Sequence, residues 1–250
     1  VAARTDHDER AEAEADAEAA APKRRGVSRI AMAVSILGEL LITAGLVLGL
    51  FVVYSLWWTN VVADRAADKQ GDKVRDNWAQ DKGGPGALDT KDGIGFLHVP
   101  SMKNGEVLVE KGTSTKVLND GVAGYYTDPV KATLPMTDKT GNFTLAAHRD
   151  GHGAKFHNID KIKKGDPIVF ETKDDWYVYK VFSILPETSK YNVKVLQSVP
   201  KQSGKTKPGH YITLTTCTPV YTSEYRYIVW GELERVDKVD SARTPPAELG

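Results

Sequence analysis

From Ile30 to Trp58 the chain is apolar apart from Glu39 and scattered Ser, Thr and Gly. A run that long and that continuous exceeds what a core helix needs and reads as a transmembrane helix. Its charge-free part, Leu40 to Trp58, rises about 28 Å at roughly 1.5 Å per residue, against a hydrocarbon thickness of about 30 Å. Glu39 then falls near the inner interface, where it reads as a snorkelling or interfacial carboxylate. Lys23, Arg24, Arg25 and Arg29 precede the run, and Tyr54, Trp57 and Trp58 form an aromatic belt at its far end. The positive-inside rule puts the N-terminus in the cytoplasm and everything after Asn60 outside, as expected of a single-pass protein of the cell membrane. A cleaved signal peptide is the rival, with Val61-Val62-Ala63 as the cleavage site. An apolar run about twice the usual length and the bulky Trp pair speak against it.

The rest of the chain is organised around that helix. Residues 1–29 form a tail and a basic flank: before Lys23, seven acids stand against Arg4 and Arg10 with no aromatic residue. Such a segment cannot bury enough surface to offset the entropy of ordering, although its Ala/Glu content also suits a helix. Residues 30–58 are the membrane span. Residues 59–92 are polar, with Gly83-Gly84-Pro85-Gly86 to break any helix, and read as an extracytoplasmic stalk. From Gly93 the texture changes to short β-branched and aromatic runs between turn residues: Ile94 to Val99, Glu106 to Val109, Phe143 to Ala147, Pro167 to Glu171, Trp176 to Ser183, Val193 to Val199, Tyr211 to Cys217 and Tyr225 to Leu233. Eight such runs predict an all-β barrel or sandwich over residues 93–236. The spacers Ser114 to Tyr126 and Lys155 to Ile162 are long enough for short helices or 3-10 turns. Residues 237–250, with Pro245-Pro246, are expected to be a disordered tail. Thirty-three basic and 33 acidic residues cancel, so no global field attracts nucleic acid, and none is expected as a partner.

Cys217 is the sole cysteine. Outside the cell it has no internal disulfide partner and is open to oxidation, which asks for a reason to keep it. One reading is a small buried hydrophobe. Alternation in His210-Tyr-Ile-Thr-Leu-Thr-Thr-Cys217-Thr-Pro219 instead puts Ile212 and Leu214 on one face and Thr213, Thr215 and Cys217 on the more polar one. Pro219 stops the ladder, leaving the thiol at a strand end. Arg226 follows nine residues later; if the two runs are antiparallel neighbours, their connected ends bring it beside Cys217. A guanidinium there favours thiolate and can hold an oxyanion. Spacing alone leaves that role competing with a surface ion pair to Glu224 or Glu232.

A thiol nucleophile needs a proton carrier, and histidine suits it. Of the six, His148 stands directly after the run Phe143 to Ala147, the same strand-end placement as Cys217. A zinc site of His148, His152 and His157 is disfavoured, because Gly151 and Gly153 break a ligand-presenting helix and no HExxH or CxxC spacing occurs.

The run Thr213-Leu-Thr-Thr-Cys217-Thr-Pro-Val-Tyr-Thr-Ser-Glu-Tyr-Arg226-Tyr-Ile-Val-Trp-Gly-Glu-Leu233 resembles the TLxTC…R signature of the sortases. Gly141-Asn-Phe-Thr-Leu-Ala-Ala-His148-Arg-Asp is similar to the strand and histidine upstream in that family. The likeness spans about Gly93 to Val236 and is nearest to class E, the housekeeping type of many high-GC Gram-positive bacteria. It departs at Ala147, where many relatives carry Gly, and at Arg149-Asp150-Gly151, where threonine-containing loops are common. The resemblance implies an eight-stranded sortase-type β-barrel with short helices and a cysteine transpeptidase; no residue is assigned to a cofactor or metal. Cys217 would attack the Thr-Gly bond of a Leu-Pro/Ala-x-Thr-Gly sorting signal on a secreted protein, Arg226 would hold the oxyanion, and His148 would protonate the departing amine. The acceptor would be the amine of a lipid-linked peptidoglycan precursor. Two further residues are candidate substrate contacts: Thr216, through its hydroxyl or backbone, or else simply strand filler; and Tyr126, which aligns with a tyrosine that class E members use to read the signal's second residue. The alternatives are a pilin-polymerising sortase, whose acceptor is a pilin lysine, and a non-catalytic surface-binding module on the same barrel.

Overall fold

The computed structural model describes residues 28–80 and 93–250. The acidic tail and the Gly83 to Gly86 break lie outside the described residues. The chain divides into two units, one ending at Phe51 and one beginning at Val52. Helix α1 (Arg29–Val53) runs through the first and ends two residues past that boundary; none of its residues is buried although they are almost all apolar. Its most apolar window has a mean hydropathy of 2.4, which in length and composition is enough to cross a membrane.

In the second unit a π-turn (Tyr54–Trp58) and helix α2 (Thr59–Ala79) precede the strands. These are β1 (Gly95–His98), β2 (Glu106–Lys111), β3 (Ala123–Tyr125), β4 (Gly141–Ala146), β5 (Pro167–Glu171), β6 (Asp175–Ser189), β7 (His210–Thr218) and β8 (Tyr225–Lys238), with a one-turn helix α3 (Thr115–Leu118) between β2 and β3. The eight close into a barrel in the order β1-β2-β3-β4-β7-β8-β6-β5, with β5 pairing back onto β1. Closure leaves no exposed edge. Pairs β2/β3 and β4/β7 are parallel, the others antiparallel. The inner face is filled by alternate residues such as Leu97, Val109, Phe143, Leu145, Ile212 and Leu214, all buried. At about 25 cal/mol per Å² of apolar surface, each such side chain contributes roughly 1.5–3 kcal/mol to holding the barrel together.

The eight-stranded barrel agrees with expectation, but two of its members differ. Val193 to Val199 is not a strand: Val193–Leu196 forms a 3-10 turn whose Val195 and Leu196 pack on Ile228 and Trp230, with Trp230 Nε1 donating to Val195 O at 3.2 Å. β-branched residues there serve as a plug, not a ladder. The missing strand is β3, only three residues long. Its Gly124 lies so close to Gly112 that a Cβ would stand 1.9 Å from the Gly112 carbonyl, which only glycine permits.

Both flanks of the barrel also differ from expectation. Within residues 59–92, expected to be a stalk, α2 lies on the barrel through Ala63, Ala67, Gly71 and Val74. That stripe is helical in spacing but built of small residues, so hydropathy does not reveal it. The tail after residue 237 is ordered. Arg243 donates to Glu171 at 2.7 Å and to Thr172 O at 2.8 Å, and Leu249 packs on the cluster Val169, Trp176 and Val178. A buried carboxylate calls for cations, and composition alone cannot show where they come from.

Candidate active site

β7 is central: it lies between β4 and β8, and its end carries Cys217, partly exposed. In the β7/β8 register the Cα of Cys217 is opposite that of Arg226. The antiparallel neighbourhood expected from spacing is thus present. The Arg226 guanidinium donates to the carbonyls of Tyr225 (2.9 Å) and Ser223 (3.2 Å), which aim it along the hairpin end, while Glu232 pairs with Lys205.

On the other side, β4 runs parallel to β7 with Ala146 opposite Thr215. Ala147 N continues the ladder to Thr215 O at 3.3 Å. Two residues past that register pair stand His148 on one chain segment and Cys217 on the other. Thr216 Oγ1 donates to Ala147 O at 2.7 Å and is buried. That bond ties the Thr216 hydroxyl proton to the strand that leads into His148, the strand-filler reading of the two weighed for this residue.

His148 Nε2 lies 2.8 Å from Asn119 Oδ1. An amide oxygen only accepts, so with this partner Nε2 is the donor, and in the neutral ring Nδ1 carries the lone pair. Burial lowers the His148 pKa below the ordinary histidine range, the neighbouring His152 ring pushes the same way, and Asp150 pulls against both. Arg149, itself buried, donates to Thr218 Oγ1 at 2.8 Å and reaches Cys217 O at 3.4 Å. Asp150 Oδ2 accepts from Tyr221 N at 2.6 Å. These two residues fasten the His148 loop to the β7/β8 hairpin.

Tyr126 completes one wall. Its hydroxyl is 3.0 Å from Thr215 Oγ1, whose single proton goes to Leu145 O, so Tyr126 donates. Burial raises the phenol above its usual range, against the pull of Arg226. Tyr126, Thr215, Arg226 and Ile228 line a cleft of about 80 Å³, together with Thr188, Asn192 and Val193.

The structure thus sets His148, Cys217 and Arg226 at the ends of three neighbouring strands and puts Tyr126 in the cleft beside Arg226. It adds Asn119, Thr215, Arg149 and Asp150, which sequence reading did not assign. Asn119 sits in Leu118-Asn119-Asp120-Gly121, an ordinary turn signal that gives no hint of a histidine partner. As for metals, His98, Glu106 and Glu171 bring ligand atoms within 4.8 Å of one another. Arg75 and Arg243 already hold both Glu171 oxygens, so guanidinium charge stands where a cation would.

A closed eight-stranded barrel with a cysteine, an arginine and a histidine at adjacent strand ends defines a class of cysteine acyl-transfer enzyme. Residues 97–234 match the family described as sortase domain. Sortase SrtE2 of Streptomyces coelicolor is 77% identical over 233 residues, which cover 90% of this chain and 92% of that protein. Sortase SrtE1 of the same organism is 49% identical over 79% of this chain and 56% of its own length. The crystal structure of Sortase E1 from S. coelicolor, with a tripeptide in its active site, superposes with a TM-score of 0.59 at 48% identity, covering 63% of this chain and 96% of that one. The chain belongs to the sortase family of cysteine transpeptidases, and its structural neighbours include class E members.

Proposed function

We propose that this chain is a membrane-anchored class E sortase that cleaves a Leu-Pro/Ala-x-Thr-Gly type signal between Thr and Gly and transfers the protein to a peptidoglycan-precursor amine. The observation that carries this reading is the register of three strands, which sets Arg226 opposite Cys217 and His148 at the matching end of β4. The Cys217 thiol gives its proton to His148 as its sulfur attacks the threonine carbonyl, and Arg226 donates to the oxygen that gains charge. The C–N bond breaks as the departing glycine amine takes a proton from His148, leaving a thioester. An incoming amine then gives its proton to His148 and expels the Cys217 thiolate. The peptide occupies the cleft beside Tyr126 and Thr215; the tripeptide in the active site of the S. coelicolor relative supports a peptide ligand there. α1, apolar and unburied, anchors the chain with its catalytic domain outside the cytoplasmic membrane.

A transfer assay tests this. Full-length chain in detergent is offered signal peptides with Pro or Ala at the second position, together with glycine-type amines, diaminopimelate-containing stem peptides or a pilin-type lysine peptide. Ligation to stem-peptide or glycine amines, absent in Cys217→Ala, is expected. Ligation only to lysine peptides would make the chain a polymerising enzyme, and no Cys217-dependent cleavage of any peptide would leave a binding module.

A further inference from the structure

The Asn119–His148 contact joins two loops, and one helix backs both of them. Asn119 lies two residues before Gly121; His148 opens a loop that runs through Gly153 to Phe156, whose amide donates back to His148 O at 3.0 Å. α2 passes outside the two turns. Its Asn60 Oδ1 accepts from Gly153 N at 2.9 Å, and its Asp64 Oδ1 accepts from Lys155 Nζ at 2.8 Å. Between them Ala63, fully packed, faces Gly121, where a Cβ would come within 2.8 Å of Ala63 O. A Cβ on Gly153 would stand 3.1 Å from both Asp64 Oδ1 and Gly121 Cα. Asn60, Ala63 and Asp64 are three and four residues apart, so they share one helical face. The helix and the two turns meet at one point.

The loop has reason to need support. Gly151, His152, Gly153 and Ala154 all carry positive φ, at 63°, 47°, 81° and 39°. For His152 and Ala154 that backbone is costly and persists only where surroundings impose it. The helix, in contrast, does not need Asn60 or Asp64 to stay docked. Further along, Ala67 and Val74 pack with Phe96, Leu108 and Val122, and Arg75 binds the buried Glu171. The two polar contacts at its start therefore serve the loop.

We propose that α2 is a structural arm of the active site, and that Asn60 and Asp64 are positioning residues holding the His148 loop where His148 meets Asn119 at the end of β4. This rests on the functional reading above, in which His148 moves protons for Cys217. A domain cut away from α2 would keep every residue of the cleft and lose the imidazole's placement.

The test uses the full chain in detergent micelles: wild type, the double variant Asn60→Leu with Asp64→Leu, and Asn60→Asp, which keeps an accepting Oδ. Transfer kinetics and hydrogen–deuterium exchange over residues 148–156 are read together, well below the melting temperature. The double variant is expected to lose about tenfold or more in kcat, as a displaced catalytic group does, and to exchange faster over that segment. Its KM is expected to stay within roughly twofold, because the cleft is untouched, and Asn60→Asp is expected to stay near wild type. Unchanged kcat in the double variant, whether or not exchange changes, would overturn the proposal, and so would a loss not rescued in Asn60→Asp. If the double variant does not fold, Lys155→Met removes one contact from the loop side and is judged by the same two readouts. A wild-type chain with no Cys217-dependent transfer would sink the functional reading and this inference with it; active wild type with indifferent variants sinks the inference alone.

Discussion

Cys217 and Arg226 are a cross-strand pair, their Cα atoms opposite one another where β7 and β8 turn into their connecting loop. Cα atoms so paired are about 4.5–5.5 Å apart, so the guanidinium needs no rearrangement of the backbone to reach an oxygen on the atom that the sulfur attacks. The Tyr225 and Ser223 carbonyls fix its direction. Arg226→Lys keeps the charge and loses the planar fork. It is expected to lower kcat/KM by about 10²–10³-fold, the usual cost of one oxyanion donor. Steady-state peptide cleavage checks this; near-normal rates would move the oxyanion role elsewhere.

The electrostatics of His148 give predictions with opposite signs. His152 disfavours the imidazolium and Asp150 favours it. His152→Gln is therefore expected to raise the His148 titration toward the ordinary histidine range, and Asp150→Asn to lower it further. Ring-proton NMR across pH reads both directly. On the proposed mechanism His148 protonates the departing amine, so the pH range of transfer should move up in the first variant and down in the second. Shifts in the same direction for both would contradict the assignment of charges.

Tyr126 donates to Thr215, which in turn donates to Leu145 O, so Tyr126→Phe removes a donor without stranding a buried proton. The stability cost is expected to be about 1 kcal/mol or less. The kinetic effect should fall on KM and on discrimination between Pro and Ala at the second signal position, since Tyr126 lines the cleft beside Arg226. Competition between the two peptides measures this, and an unchanged preference ratio would remove Tyr126 from recognition.

Glu171 sits in the barrel wall away from the cleft, and it sets acid stability. Burial alone would raise its pKa, but hydrogen bonds from His98, Arg75 and Arg243 outweigh burial and hold it at about 2 against an ordinary 4.5. A carboxyl with a depressed folded-state pKa contributes stability above the unfolded value and loses it as pH falls toward the folded one. That contribution is about 3 kcal/mol at neutral pH and fades from about pH 4.5 to about pH 2. Glu171→Gln should be destabilised at pH 7 and show a flatter acid limb in urea melts. Parallel acid limbs in the two proteins would contradict this.

The legible parts of this molecule are those written in local patterns. The β7 alternation and Pro219 put Cys217 at a strand end, the nine-residue interval put Arg226 on the neighbouring strand opposite it, and the run Phe143 to Ala147 put His148 just past the end of another. Period and spacing carry such information because a strand projects it directly into space. What stayed hidden depends on partners distant in sequence. β3 is three residues that pair only because glycine lets Gly112 approach, and Val193 to Leu196 has strand-like residues used as a plug. Asn119 is 29 residues from His148 and looks like turn chemistry. α2 buries Ala and Gly, the residues that hydropathy weighs least.

The central claim is that Cys217 carries the acyl group. Incubating the chain with a signal peptide in the absence of amine, quenching in acid and mapping the digest by mass spectrometry tests it directly. A mass addition equal to the acyl portion ending at threonine, on the peptide containing Cys217 and lost on treatment with hydroxylamine, is predicted. A folded chain that cleaves the peptide with the label on another residue, or that yields no adduct while product forms, would contradict it.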